Sequence, residues 1–167
     1  MQTASILNGR GVETSDCAQQ IAFNVLPIIG KPGMKGYSSA EWQLIRQSQR
    51  ITDDPQLQLS ATCVQVPVFH ADSMVVHIET DRPLSDHAVI ELLKKQDHIK
   101  VLGDLENTDY ATPVTSSTDM DTVFVSRIRN DLQHDRGLNM WIVGDDIRKG
   151  AAFNTVQIAE NLVKSHL

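Results

Sequence analysis

The sequence is poor in cysteine, in positive charge and in long apolar runs, and each shortage removes a class of function. Two cysteines in 167 residues, Cys17 and Cys63, cannot build a disulfide framework, so a reducing, cytoplasmic setting is expected. Neither sits beside a group that would lower its pKa, and Cys17 follows Asp16, whose charge works the other way. Both read as inert thiols. Lys and Arg number 15 against 21 Asp and Glu, a formal net charge of −6. That is the opposite of the basic face a phosphate backbone requires, and no nucleic-acid partner is expected. Arg127, Arg129 and Arg136 are interleaved with Asp131 and Asp135, as on a solvated or ion-paired face. No apolar stretch approaches the roughly 20 residues that cross a bilayer. The opening MQTASILNGR lacks the basic head and apolar run of a signal peptide, so no membrane partner is expected. Gly-x-Gly-x-x-Gly, Walker and Gly-x-Ser-x-Gly patterns are all missing, which removes a phosphate-cradling loop and a hydrolase elbow.

What is there is ordinary for a globular chain: 41% hydrophobic and 22% charged residues, enough to bury one core. A single domain over residues 1–167 is expected. TASILNG looks like the last turns of a helix closed by Asn8 and Gly9, with no visible start, as if continued from something longer. Residues 20–29 hold Pro27 in an apolar run and read as extended with an irregular portion. Residues 37–51 form a helix, with Ser38 and Glu41 as a capping box and Tyr37 and Trp42 as a hydrophobic staple. The helix stops before Asp53, Asp54 and Pro55. Residues 57–69 and 73–80 read as two strands, interrupted by Pro67 and joined by a turn. Residues 84–96 form a helix capped by Ser85 with Leu84 and Val89 as its staple. A short strand over 99–102, a polar connection over 103–117, and strands over 123–128 and 138–143 follow. Asp145 or Asp146 then caps a final helix with Ala151, Ile158 and Leu162 on one stripe. Arg148 and Lys149 sit unfavourably near its positive N-terminus, where an anionic neighbour would be welcome. Helices laid on a mixed, largely antiparallel sheet make the fold class α+β.

Between the strands over 57–69 and 73–80 lies a polar set. His70, Asp72 and His77 are permitted ligand types for zinc or iron. His70 and Asp72 share a strand face, whereas His77 needs a hairpin to bring it back. The spacing matches no metal signature, and no metal is assigned. On spacing alone the sequence declares an α+β domain.

Longer stretches are more specific. LNGRGVETSDCAQQIAFNVLP, SATCVQVPVF, SRIRND and GLNMWIVGDDIRKGAAFNTVQIAENL, in this order and over nearly the whole chain, resemble the C-terminal half of aspartate-semialdehyde dehydrogenase. The resemblance implies a mixed sheet backed by helices, serving as the substrate and dimerisation domain. It also implies a homodimer with an isologous interface on the sheet face, and an N-terminal Rossmann domain binding NADP in a full-length parent. The family reaction reduces an acyl phosphate to an aldehyde through a cysteine thioacyl intermediate, a proton-moving histidine and hydride from NADP. In the family the cysteine and the glycine-rich loop lie upstream of Met1, so no cofactor is expected for the isolated chain. Cys17 and Cys63 do not match the nucleophile.

The positions that are retained differ. The segment matching QVPVFHAD opens in the family with a substrate-binding arginine and closes with the catalytic histidine; here these are Gln65 and Asp72. A glutamate that holds the substrate amino group is replaced by Gln47, and three residues on a basic phosphate-binding residue survives as Arg50. The amide side chain near nicotinamide, before the last helix, is Asp146. Gln65 cannot present the bidentate fork that grips a carboxylate, and Gln47 cannot neutralise an ammonium group. Asp72, with a reference pKa near ~3.9, is a poor proton donor at neutral pH unless strongly raised. His70 lies about 6.5 Å along the strand from the histidine position, too far to substitute. The resemblance therefore implies a divergent paralogue with an altered site, inactive as an isolated chain. The rival is the catalytic domain of an NADP-dependent enzyme acting on a different acyl phosphate or aldehyde, and a metal-dependent enzyme using His70, Asp72 and His77 comes third.

Overall fold

The structure, a computed structural model, describes residues 2–14, 19–103, 109–116 and 121–166. Cys17 and parts of the polar connection lie outside the described residues. The chain divides into two compact units, Met1–Pro67 and Val68–Leu167.

The first unit opens with helix α1, Gln2–Leu7. Gly9 follows at φ 65°, the left-handed region that an L side chain enters only at a cost. There the Gly9 N–H reaches Ile6 O (3.0 Å) and the Arg10 N–H reaches Ser5 O (2.8 Å), the paired bonds of a Schellman stop. Gln2 Oε1 accepts the Ile21 N–H at 2.9 Å and so ties α1 to the irregular segment beyond. In that segment Leu26 exchanges two backbone hydrogen bonds with Gln65, at 3.0 and 2.8 Å. Helix α2, Ser39–Ile51, has the expected capping box: Ser38 accepts from the Glu41 N–H, and the Glu41 carboxylate accepts from the Ser38 N–H. Tyr37 and Trp42 form the staple, with ring centroids 5.7 Å apart.

One expected strand is not formed. Residues 57–69 carry no regular strand; the Leu26–Gln65 bridge is their sheet-like contact among the described residues. Val64, Val66 and Val68 alternate as a strand would, yet all are exposed, and Pro67 removes a donor beside the bridge. Alternation without a neighbouring ladder does not hold a strand. The hairpin expected around His70 is therefore absent, and β1 pairs with a strand far along the chain.

Among the described residues the second unit holds a four-stranded sheet in the order β1-β4-β3-β2. Its strands are β1 (Asp72–Glu79), β2 (Ile99–Val101), β3 (Val123–Asn130) and β4 (Gly137–Gly144). β1 and β3 run antiparallel to β4, and β2 runs parallel to β3. The β3–β4 register slips between Ser126 and Arg129. Arg127 takes φ 55° there, the left-handed backbone found in one class of β-bulge. Helix α3, Asp86–Leu93, starts at Ser85, whose side chain accepts from the Ala88 N–H. Its Val89 packs with Val125, Leu138 and Met140, flanked by Leu84, Val76 and Ile142, in one apolar layer. On the other face Ala71, Ala111, Phe124 and Val143 form a second layer with Leu102 and Trp141. The short helix α4, Pro113–Ser116, follows Ala111, whose carbonyl accepts the Trp141 indole N–H at 2.8 Å.

The final helix is preceded by a π-helical turn, Arg148–Ala152. It runs into α5, Phe153–His166. Asp145 caps this turn as expected: its side chain accepts the Arg148 N–H and its carbonyl the Gly150 N–H at 2.9 Å. The anionic neighbour expected for Arg148 is Asp121, gripped by two guanidinium nitrogens at 2.6 and 2.9 Å. Phe153 stacks edge-on against His98, with centroids 5.1 Å apart. Ile158 and Leu162 of the expected stripe are exposed rather than packed.

Candidate functional site

Asp72 and Asp146 come together because β1 begins where β4 ends. Asp72 stands opposite Gly144 in the register, and Asp146 lies two residues beyond. The turn into β1 is made by Ala71, buried, at φ 71°. A left-handed backbone at an L residue costs roughly 1–2 kcal/mol, and the Ala71 N–H donates to Asp146 Oδ1 at 3.2 Å. That bond orients Asp146 toward the start of β1. Asp72 is exposed at the start of β1, and partial desolvation of its carboxyl, then the charge of Asp146, pushes its pKa above the usual aspartate range. Asp72 can hold a proton more tightly than a lone aspartate, and two neighbouring carboxylates repel a thiolate, a phosphate or a substrate carboxylate.

In the first unit Gln47 and Arg50 are exposed and one turn apart on α2, so they share a helix face. Gln47 lines a cleft of about 440 Å³ with Gly33, Met34, Trp42, Gln43 and Arg46. The Arg46 guanidinium lies over the Trp42 ring, 5.4 Å from its centroid. The base of α2 is held by Glu41. Its two carboxylate oxygens take the Ser38 N–H at 2.7 Å and the Cys63 N–H at 2.8 Å. These two bonds, that from Ser38 first, keep Glu41 below the ordinary glutamate range. Cys63 is thereby part of a backbone clamp two residues before Gln65. Gln65 itself has an exposed side chain and a backbone fixed to Leu26.

His70 is exposed just ahead of Ala71. His77 lies five residues along β1 from Asp72, which puts the two on opposite faces of the strand. Its neighbours are Asn139 (3.2 Å), Asp131 (3.7 Å) and Glu79 (3.8 Å). His70, Asp72 and His77 thus do not converge, and among the described residues no group of three or more His, Cys, Asp or Glu could hold a metal ion. Sequence reasoning missed the Ala71 turn and the Glu41–Cys63 clamp. The small residue before Asp72 was a signal for the first, and nothing local announced the second.

A carboxylate pair is a poor receptor for a dinucleotide. Asp146 could accept a hydrogen bond from a carboxamide, and the cations nearest it in sequence are engaged within the chain, Arg148 by Asp121 and Lys149 by the Gln157 side chain.

The four-stranded mixed sheet with helices laid on it makes the second unit α+β. The chain matches the family described as "Semialdehyde dehydrogenase, dimerisation domain" over residues 1–149, and it belongs to that family. Aspartate-semialdehyde dehydrogenase 2 of Vibrio cholerae is 41% identical over 165 residues, 99% of this chain and 48% of that protein. A crystal structure of aspartate-semialdehyde dehydrogenase II from Vibrio cholerae, complexed with ASA, superposes with a TM-score of 0.92 over 99% of this chain and 48% of that one. A probable aspartate-semialdehyde dehydrogenase from Pseudomonas aeruginosa, 35% identical, gives 0.90 over 99% and 49%. The chain spans about half the length of the relatives it matches.

Proposed function

We propose that this chain is the dimerisation and substrate-facing half of a divergent, cytoplasmic semialdehyde dehydrogenase, a homodimer whose site has lost the family's charges. The carrying observation is the carboxylate pair: Asp72, at the family's histidine position, is raised by partial desolvation and by Asp146. Gln47 and Gln65 replace an acid and a base at the two substrate-gripping positions, leaving Arg50 as the cation of that set. Arg50 is the residue of choice for an anion, while Asp72 and Asp146 oppose one. Exposed apolar residues on β1 and α5, among them Val75, Ile158 and Leu162, support a place in a larger assembly, completed by an NADP-binding Rossmann half.

The raised pKa of Asp72 favours a second reading. In a full-length parent Asp72 exchanges a proton with a different acyl phosphate or aldehyde, one whose side chain is neutral or cationic where Gln47 and Gln65 replace the family's charges. The test on the purified chain is titration calorimetry with NADP beside an assay for aspartate-semialdehyde oxidation. No heat at micromolar NADP and no turnover are expected. A micromolar dissociation constant or measurable turnover overturns the reading.

A further inference from the structure

We propose that the cleft beside helix α2 binds a small carboxylate with an apolar body, and that Arg46 takes its charge. The family resemblance gives roles to Gln47 and Arg50 on this helix and none to Arg46. The site shares Gln47 with the substrate-side set above but needs no dehydrogenase chemistry, so the two readings fail separately.

The cleft is built by local sequence within the first unit. One wall is the turn at Gly33 and Met34. The Met34 carbonyl accepts both the Tyr37 N–H and the Trp42 indole N–H, each at 3.2 Å. The Gly33 N–H reaches Tyr37 O at 2.8 Å. A side chain at residue 33 has no room, because its Cβ would lie 2.9 Å from Tyr37 O and 3.5 Å from the Trp42 ring. Trp42 is thus fixed against the turn, and its one donor is spent there. Ser39 is spent as well, accepting the Lys31 N–H at 3.0 Å.

What remains for a ligand is Arg46, Gln43 and Gln47. The Arg46 guanidinium lies over the Trp42 ring, 5.4 Å from its centroid, within the range at which a π face holds a cation. Among the described residues it has no acid partner. The one acid of α2, Glu41, gives its two oxygens to the Ser38 and Cys63 N–H groups. The side chains of Gln43 and Gln47, one turn apart on α2, also lack an internal partner among the described residues. Arg50, a turn beyond Arg46, is outside the lining.

A guanidinium held by a ring keeps its N–H fork free, and that fork matches the two oxygens of a carboxylate. The Gln43 and Gln47 amides can donate to the remaining lone pairs. Trp42 and Met34 offer an apolar wall to the ligand's body. A phosphate dianion suits the cleft less well, because it brings two charges and a tight hydration shell to one cation and an apolar wall. At about 440 Å³ the cleft is at the small end of ligand sites, which fits a small molecule rather than a dinucleotide.

Benzoate is the probe, read by proton–nitrogen correlation NMR of the 167-residue chain. The two tryptophans report separately, Trp42 in the first unit and Trp141 in the second, and Trp42→Phe assigns the peaks. Benzoate is expected to move the Trp42 indole peak with a dissociation constant of about 1 mM and to leave Trp141 in place. Benzamide, the same shape without the charge, and inorganic phosphate, the charge without the apolar body, are each expected to bind at least about tenfold more weakly. Arg46 is exposed, so Arg46→Gln should leave the rest of the spectrum unchanged while weakening benzoate at least about fivefold. Arg46→Lys keeps the charge without the fork and is expected to weaken it at least about threefold. A Trp42 peak that stays still at about 10 mM benzoate overturns the site. Benzamide or phosphate binding as tightly as benzoate does the same, as does an affinity unmoved by Arg46→Gln or by Arg46→Lys. None of these results touches NADP binding or turnover, so failure here leaves the proposed function standing.

Discussion

Removing the Ser38 hydroxyl tests whether the capping box holds the helix that carries Gln47 and Arg50. In Ser38→Ala the Glu41 N–H loses its acceptor at 3.3 Å. Loss of an N-cap side chain costs about 1 kcal/mol. Ser38 is 2% and Glu41 6% exposed, so water does not replace the hydroxyl. The stranded N–H brings the total to about 2 kcal/mol. For a chain of this size that lowers the melting temperature by about 4–8 °C. Ser38→Gly sharpens the case. At an exposed N-cap glycine costs only a few tenths of a kcal/mol, because water reaches the amide; here it should cost nearly as much as alanine. The assay is thermal unfolding followed by circular dichroism. Trp42 fluorescence serves as the local probe, since Trp42 packs on Tyr37 beside the cap. A drop below about 1 °C for Ser38→Ala, or a harmless Ser38→Gly, would refute the argument.

Two further substitutions probe the sheet unit. Asp72→Asn should stabilise the fold at neutral pH by about 0.5 kcal/mol, the scale left after solvent screening. The folded-state pKa of Asp72 is raised, so the penalty is fully present above that pKa. It disappears below the ordinary aspartate value, where wild type and variant should melt together. A gain that persists at low pH would contradict the assignment. Leu138→Ala, at a position 2% exposed in the layer beneath α3, should cost about 3 kcal/mol in chemical denaturation; a loss under about 1 kcal/mol would place Leu138 outside the core.

Helix α2 and its caps were legible because Ser38, Glu41, Tyr37 and Trp42 are all local signals, settled within one turn. The same holds for Ser85 above α3, and for the Asn8–Gly9 stop. The strand expected over 57–69 failed because alternation reports only a two-faced preference, while a strand requires a ladder supplied from elsewhere. β1 found its ladder in β4, about 60 residues away, which no local pattern indicates. Pro67 was visible as an interruption, yet the boundary between compact units beside it was not. At the site, charges could be compared position by position through the family resemblance. The turn at Ala71, which brings Asp146 back to β1, depends on backbone geometry that a sequence string does not display.

The central claim, that the substrate site is altered, is tested most directly by completing it. A chimera joins the upstream half of the Vibrio cholerae relative to this chain, and NADP-dependent oxidation of aspartate semialdehyde is measured with and without Gln65→Arg and Asp72→His. The account predicts a folded, NADP-binding chimera with turnover at least about 100-fold below the Vibrio cholerae enzyme. It also predicts recovery of at least tenfold when both residues are changed. Turnover within threefold of that enzyme by the unmodified chimera would contradict it.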